Sequence, residues 1–145
     1  SLIEERHALV TLDPLPDIRT TPARMVQVFQ NLIDNAVRYC SADVPRVSVR
    51  AVRRGTDWVF LVTDNGIGIP AELRDRVFIL FQRLHTQEES QGSGIGLSTC
   101  RKIVEGFGGR MWIEESSPGR GTTFAFSVPV PSLNIDPPAA PEASR

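Results

Sequence analysis

The sequence predicts an α+β fold, a two-layer sandwich in which about three helices cover one face of a mixed five-stranded sheet. Three observations predict it. Five short segments have the alternating or apolar pattern of strands, two longer segments carry apolar residues at helical spacing, and the elements follow the order strand, helix, hairpin, helix, hairpin. A chain of 145 residues, of which 41% are hydrophobic, is long enough to bury one core without a disulfide or a structural metal.

The first strand and the first helix lie before residue 40. Residues 7–12 have the pattern of a strand, which ends where two prolines follow because proline cannot donate to the strand ladder. Thr21 then stands where an N-cap is expected and Pro22 at the first helical position, so we predict a helix over about 21–39. Its apolar face is predicted to comprise Met25, Val28, Phe29, Leu32, Ile33, Ala36 and Val37.

A hairpin and a loop come next. Residues 46–53 alternate with period two, residues 58–63 are apolar, and a glycine turn joins them. We predict a loop over 64–70 and one or two short helices over 71–84. Residues 84–91 are polar without an apolar face, which indicates a mobile segment.

The second half of the chain repeats a helix and a hairpin. A helix is predicted over about 95–107, and strands over 110–115 and 122–128 form the second hairpin. The core-facing residues of this helix are predicted to be Leu97, Cys100, Ile103, Val104 and Phe107. Residues 131–145 are rich in proline, alanine and serine, so we predict a disordered tail after a single domain over 1–130.

The composition excludes several function classes. The formal net charge is -1, so there is no basic excess to attract nucleic acid or an anionic membrane surface. Cys40 and Cys100 lie far apart, and only His7 and His85 could join them as metal ligands, which favours two reduced thiols. No apolar run reaches the length of a membrane span and no signal peptide is recognisable, so we expect a cytoplasmic location. The abrupt opening at Ser1 leads us to expect a piece of a longer protein.

Three polar side chains share one stripe of the first long helix. Asn31, Asn35 and Arg38 are spaced by four and then three residues. Amide oxygens can ligate Mg²⁺, which takes one or two protein oxygens and completes its shell with substrate phosphates and water. Taken alone, the stripe also fits the solvated face of an amphipathic helix.

A second motif, Asp-x-Gly-x-Gly, follows an apolar strand at Asp64, Gly66 and Gly68. One interpretation is a hairpin turn, which Asn-Gly favours. The other is a binding site, because burying a carboxylate at the end of an apolar strand is costly without a partner. A carboxylate accepts hydrogen bonds and can take the exocyclic amine of adenine, whereas guanine offers a carbonyl at the same place.

A third motif, Gly-x-Gly-x-Gly-Leu, opens a helix at Gly92, Gly94 and Gly96. Free backbone N–H groups at a helix start bind anions, and glycine lets phosphates approach. It is not a P-loop, because no Gly-Lys-Ser/Thr follows, and Leu97 stands where the dinucleotide fingerprint needs its third glycine. A flexible linker is the other interpretation.

Together, and in this order, the motifs resemble the GHKL ATPase superfamily, and within it the histidine kinases. The N, G1, F, G2 and terminal glycine-threonine boxes of that family are similar to residues 31–39, 64–70, 78–83, 92–96 and 119–124. The resemblance covers about residues 21–129, and stretches 81–85 and 100–104 resemble phytochrome-type sensor kinases. It implies a Bergerat-type ATP-binding fold that binds ATP with Mg²⁺.

The resemblance also implies roles for residues of the first helix. Asn35 would ligate Mg²⁺, and Asn31 would contact a phosphate or a metal-bound water. Arg38 occupies a position that is usually lysine and would supply charge to the phosphates as a planar fork. Tyr39 would lie near the nucleotide.

At the adenine end, the resemblance implies that Asp64 reads the amine and that Gly66 and Gly68 shape the wall. Thr123 would reach the same region from the neighbouring strand. Arg83 is the candidate for contacting the γ-phosphate. Residues 84–91 would be a lid over ATP. The residues expected to cap the phosphates are Ser93, Gly94 and Gly96, and Leu97 is expected to belong to the same nucleotide-binding segment.

Two absences narrow the implied activity. Gyrase-like and chaperone members of the superfamily carry a glutamate general base where this chain has Asn31, and asparagine cannot accept a proton from water. We therefore expect ATP binding with poor hydrolysis, which suits transfer to a histidine. Neither His7 nor His85 lies in a phosphoacceptor context, so the substrate histidine is expected on a separate dimerisation domain.

The implied partners are that phosphoacceptor domain and a response regulator. We expect this piece of chain to be monomeric and the full-length protein to be homodimeric. An alternative function is a nucleotide-binding module in a sensor whose net output is dephosphorylation of the response regulator. A serine kinase of the anti-sigma type fits less well, because those proteins resemble the glutamate-bearing pattern.

Overall fold

The computed structural model describes residues 2–18, 20–74, 76–78 and 93–130. The α-helices of these residues are α1 (Leu2–Arg6), α2 (Pro22–Arg38) and α3 (Ser93–Gly106). The strands are β1 (Leu9–Leu12), β2 (Arg46–Arg54), β3 (Asp57–Asp64), β4 (Met111–Ser117) and β5 (Gly121–Pro129). A short 3₁₀ helix, Ala71–Leu73, follows β3. The predicted α+β class, with five strands and three helices, is confirmed.

The strands form one mixed sheet in the order β1-β2-β3-β5-β4. β1 pairs with β2 in parallel, and the other neighbouring strands are antiparallel. The register sets Thr63 opposite Thr123 and leaves Asp64 as the last residue of β3. Because side chains alternate between the two faces of a strand, neighbouring residues at this end of the sheet face different surroundings.

Helices α2 and α3 pack on one face of the sheet, and their predicted apolar residues face it. Val28, Leu32 and Val37 of α2 and Leu97 and Val104 of α3 are buried in the main core. Three aromatic rings join the layers. The Phe29 ring lies 5.7 Å from the ring of Phe60 and 5.4 Å from that of Phe126, which stack on each other at 5.1 Å.

The opposite face of the sheet carries a smaller apolar cluster. Val59, Leu61 and Ala125 are buried there, with Val52 and Trp112 packed against them. Along the described parts of the chain, every helix is too short or too polar to cross a membrane.

Helix α1 was not predicted, and its presence corrects the first strand. β1 begins two residues later than the predicted span 7–12, and His7 turns the chain between α1 and β1 with a φ of 54°. A five-residue helix has too few turns to show periodicity, and a tertiary contact holds it. The Arg6 guanidinium donates to the carbonyl oxygens of Val37 (3.1 Å) and Cys40 (2.8 Å), which satisfies acceptors at the C-terminal end of α2.

Two helix starts also differ from the predicted details. Thr21 is the N-cap of α2 as expected, but its side chain makes no capping hydrogen bond. Helix α3 begins at Ser93, two residues before the predicted start, so Gly94 and Gly96 belong to its first turn and not to a preceding loop. The predicted mobile segment over 84–91 and the predicted tail over 131–145 lie outside the described residues.

Candidate functional site

One cavity of about 310 Å³ lies where α2, the end of β3 and the start of β5 meet. Its lining is mostly apolar, as in many small-molecule sites, with a few polar side chains that could fix a ligand's orientation. The polar ones are Asn35, Asp64 and Thr122. The rest of the lining consists of Ala36, Tyr39, Ile67, Gly68, Ile69, Pro70, Leu73, Val77 and Phe124.

Asp64 presents a half-buried carboxylate to this cavity. Its Oδ1 atom accepts hydrogen bonds from the backbone N–H groups of Gly66 (2.8 Å) and Thr122 (3.2 Å). Burial raises the pKa of Asp64 to about 6, and the two backbone donors oppose that rise. At neutral pH the group is therefore mostly an ionised acceptor, and Oδ2 has capacity for a ligand's donor.

Gly66 and Gly68 are required by close packing of the loop against its own chain. A Cβ atom at Gly66 would lie 2.9 Å from the Tyr39 carbonyl oxygen and 3.0 Å from Asp64 Oδ1. Gly68 has a φ of +78°, and a Cβ atom there would collide with the carbonyl oxygen of Ser117. The close approach inferred from the second glycine is thus an approach by backbone. Gly68 also lines the cavity.

Asn35 brings an unsatisfied oxygen to the same cavity. Its side chain is 7% exposed, and its Oδ1 atom has no hydrogen-bond partner within the described part of the chain. A buried amide oxygen without a hydrogen-bond partner is costly, and coordination to Mg²⁺, a metal ion that prefers oxygen ligands, would satisfy it. Among the described residues, no three His, Cys, Asp or Glu side chains cluster as a metal site, so a metal here would draw its other ligands from substrate and water.

Asn31 faces the neighbouring helix and does not line the cavity. Its side chain lies beside the thiol of Cys100, and a Cβ atom at Gly96 would lie 3.5 Å from the Asn31 Cβ and Cγ atoms. Burial raises the pKa of Cys100 to about 11, against the lowering effect of the Asn31 amide. Both cysteines are free, as predicted, and both are buried. Leu97 is fully buried in the core.

Arg38 and Tyr39 end α2 beside the cavity, but only Tyr39 lines it. The Tyr39 carbonyl oxygen accepts the backbone N–H of Ile67 at 3.1 Å, which ties the loop to the end of α2. Arg38 is half-buried, and its Nε atom has no hydrogen-bond partner among the residues that the structure describes.

Thr123 does not line this cavity, and its neighbour Thr122 does. The hydroxyl of Thr123 lies 2.9 Å from that of Thr63, its cross-strand partner in β3. The alternation of β5 directs Thr122 toward the helices and Thr123 toward the opposite face. The sequence does not reveal where the pleat begins, so it does not tell which of the two threonines faces the cavity.

The remaining predicted residues lie near the start of α3 or outside the described residues. Ser93, Gly94 and Gly96 form the first turn of α3, where backbone N–H groups have no partner within the helix. Arg83 and the proposed lid over 84–91 are outside the described residues.

Two further residues support the site, and sequence reasoning missed both. Asn65 clamps the loop after α2, because its Oδ1 accepts the N–H of Arg46 (2.8 Å) and its Nδ2 donates to the carbonyl of Val44 (3.1 Å). Ser116 is buried behind the cavity and hydrogen-bonds Thr122 and Ile69. The turn-forming Asn-Gly pair was the only sequence signal for Asn65, and Ser116 had none.

Comparisons with known proteins agree with the family that the motifs indicate. Residues 20–132 match the family model described as "Histidine kinase-, DNA gyrase B-, and HSP90-like ATPase". The chain belongs to this family. Cyanobacterial phytochrome A from a Nostoc species is 46% identical over 128 residues, which are 88% of this chain and 17% of that protein. The adaptive-response sensory kinase SasA from Prochlorococcus marinus is 45% identical over 118 residues, 80% of this chain and 30% of that kinase.

Solved histidine kinases share the fold of this family member. The catalytic domain of histidine kinase ThkA superposes with a TM-score of 0.68 at 26% identity, covering 88% of this chain and 82% of that one. Full-length ShkA in complex with AMPPNP superposes with a TM-score of 0.71 at 25% identity, covering 88% of this chain and 27% of that one. The predicted resemblance to histidine kinase catalytic domains, phytochromes included, is confirmed. The chain spans less than a third of its phytochrome and SasA relatives.

Proposed function

We propose that this domain binds Mg-ATP and donates the γ-phosphate to a histidine on a separate dimerisation and phosphoacceptor domain, as part of two-component signal transduction. The observation that carries the proposal is that a carboxylate, Asp64, and an unsatisfied amide oxygen, that of Asn35, line one largely apolar cavity. An adenine base needs an apolar slot with an acceptor for its amine, and Mg²⁺ on a polyphosphate needs a hard oxygen.

At the base end, Asp64 would accept the adenine amine. Its Oδ1 is already held by two backbone N–H groups, so the second oxygen would face the ligand with a defined orientation. Guanine carries a carbonyl at that position, so its oxygen would face the Asp64 carboxylate and the two hydrogen-bond acceptors would repel each other. The loop residues Ile67 and Ile69 and the ring of Tyr39 would cover the base.

At the phosphate end, Asn35 would ligate Mg²⁺, whose charge offsets that of the phosphates when it is bound. Arg38 would add a guanidinium whose Nε is unpaired within the described residues. The free N–H groups in the first turn of α3, at Ser93, Gly94 and Gly96, would bind phosphate oxygens. Leu97 would support this turn from the core.

The residue at position 31 favours phosphoryl transfer over hydrolysis. Asparagine cannot act as the general base that would activate water. Asn31 would orient a phosphate or a metal-bound water, and Arg83 would stabilise the charge of the transferring group. This proposal includes an acceptor histidine on another domain and a response regulator as partner. It also includes a homodimeric whole protein and a cytoplasmic location with access to ATP.

The direct test is phosphotransfer in trans. The domain is mixed with γ-labelled ATP, Mg²⁺ and the phosphoacceptor domain, and label on the acceptor histidine is expected, with little phosphate released when the domain is alone. Robust hydrolysis by the isolated domain would contradict the role given to Asn31. A second assay, with the response regulator added, tests the alternative function. Net loss of label from the regulator would favour a sensor whose output is dephosphorylation.

The metal assignment has its own test, Asn35→Asp. The substitution keeps the shape of the side chain and adds an anion beside the phosphates, so we expect a changed metal requirement and loss of transfer. Gln30→Glu is the matched control, because it adds the same charge to an exposed position of α2. Unchanged kinetics in Asn35→Asp would mean that Asn35 is not the ligand.

A further inference from the structure

A buried serine behind the cavity has hydrogen bonds that converge on the adenine end. We propose that Ser116 is a positioning residue for base recognition, brought to this place by the bulge in β4. The inference rests on the proposed function, since it concerns how the ATP cavity is held in shape. Ser116 itself does not line that cavity and acts through the residues that do.

The bulge decides which β4 side chain faces the cavity wall. Ile113 pairs with Phe124, but the next pair is Glu115 with Thr123, so β4 carries one extra residue over this stretch. Regular alternation from Ile113 would direct Glu115 toward the helix side. With the extra residue, Glu115 is exposed and the neutral Ser116 lies opposite Thr122. The bulge therefore keeps a second carboxylate out of the cavity that Asp64 lines.

The hydroxyl of Ser116 has a complete set of partners. Its Oγ atom accepts the backbone N–H of Ile69 at 2.8 Å, donates to the carbonyl oxygen of Gly121 at 3.3 Å, and lies 2.7 Å from Thr122 Oγ1. A hydroxyl offers one donor and two acceptor sites, which match these partners when the Thr122 hydroxyl is the donor. Ser116 is 6% exposed, so losing these bonds would leave buried groups unsatisfied.

Each of these partners shapes the wall around the carboxylate. Ile69 and Thr122 line the cavity. Gly121 packs so closely on Asp64 that a Cβ atom there would collide with the Asp64 carbonyl oxygen. The N–H of Thr122 supplies one of the two hydrogen bonds to Asp64 Oδ1. Ser116 thus joins the loop after β3 to the start of β5, on both sides of the group that would read the base.

The Ser116 backbone is held from another side. The Arg74 guanidinium donates a hydrogen bond to the carbonyl oxygen of Ser116. Arg74 follows the 3₁₀ helix, whose Leu73 lines the cavity. Three segments of the cavity wall therefore meet at this one residue.

The test compares base discrimination in Ser116→Ala and in a matched control, Ser127→Ala. Ser127 is also a buried serine whose Oγ accepts a backbone N–H, that of Arg110 at 2.9 Å, but it lies outside the cavity. Affinities for Mg-ATP and Mg-ITP, which has a carbonyl in place of the amine, are measured by calorimetry. We expect Ser116→Ala to weaken ATP binding about tenfold and to lower the ATP-to-ITP preference, as the loss of about one buried hydrogen bond implies. Ser127→Ala should leave both affinities within about twofold.

A merely structural role for Ser116 would lower stability while leaving the ATP-to-ITP preference intact, and that outcome would overturn the inference. Equal effects of the two serine substitutions would overturn it as well. If Ser116→Ala does not fold, Ser116→Cys keeps the approximate volume with a weaker hydrogen-bonding group and is judged by the same ratio. Failure of the wild-type domain to bind ATP would instead refute the proposed function.

Discussion

Replacing Asp64 by asparagine should stabilise the domain while weakening its binding of ATP. The pKa of about 6 lies roughly two units above the ordinary value of 3.8, and at about 1.4 kcal/mol per unit the ionised carboxylate costs the fold about 3 kcal/mol at neutral pH. The folded state binds the Asp64 proton more tightly than the unfolded state does. Protonation of Asp64 therefore stabilises the fold fully below about pH 4, and this stabilisation is lost as the pH rises through about 6.

Asparagine at position 64 removes the buried charge and keeps an oxygen that can accept hydrogen bonds from the backbone N–H groups of Gly66 and Thr122. The neutral oxygen accepts these bonds less strongly, so we expect a net gain of about 2 kcal/mol and a rise in Tm of roughly 8 °C for a domain of this size. ATP affinity should fall, because the amide can turn a donor toward the adenine amine. The measurements are thermal unfolding without nucleotide at pH 7 and pH 4.5, and calorimetric titration with Mg-ATP.

The pH dependence of the stability difference separates the effect of the buried charge from a general effect of the substitution. The stability difference between wild type and Asp64→Asn should shrink as the pH falls below 6, because the wild-type carboxyl then takes up its proton. Asp43→Asn, at an exposed position, is the control and should leave Tm within about 2 °C of wild type at either pH. A variant less stable than wild type at pH 7, or a difference independent of pH, would refute the argument.

Three other substitutions or treatments test the scaffold of the site. Gly68→Ala should destabilise the domain by more than about 3 kcal/mol in denaturant titrations, because Gly68 has a positive φ and a Cβ atom there would collide with Ser117. Gly96→Ala is the control and should fold normally, since a Cβ atom at Gly96 has room. Equal stabilities of the two variants would contradict this difference in packing. Arg6→Ala should cost about 1–2 kcal/mol and increase amide hydrogen exchange at the C-terminal end of α2, because two carbonyl groups lose a charged donor. Unchanged exchange there would show that the contact does not stabilise the end of α2. The Cys100 thiol, buried and with a pKa of about 11, should resist alkylation at pH 8 until the domain unfolds, and rapid labelling of the native domain at this residue would contradict its position in the core.

Sequence reasoning succeeded where a local pattern repeats along the chain. Thr21 and Pro22 predicted where α2 begins, and its 3.6-residue periodicity predicted its buried face. The alternation in β2 predicted a strand to within one residue. It failed at α1, where five residues carry no periodic signal and the helix depends on a contact between Arg6 and residues more than 30 positions away.

The candidate site shows the same division. The amino-acid sequence by itself determined the Asn, Asp-x-Gly-x-Gly and glycine motifs, their order, and hence the family, because these depend only on residue types and spacing. Tertiary structure alone decided that Thr122 and not Thr123 faces the cavity, since the pleat of β5 and its register with β3 set the facing side. It also decided, through a bulge opposite β5, that Ser116 and not Glu115 lies opposite Thr122 and hydrogen-bonds it. Such choices depend on which strands pair and in what register, which residues near in sequence do not specify.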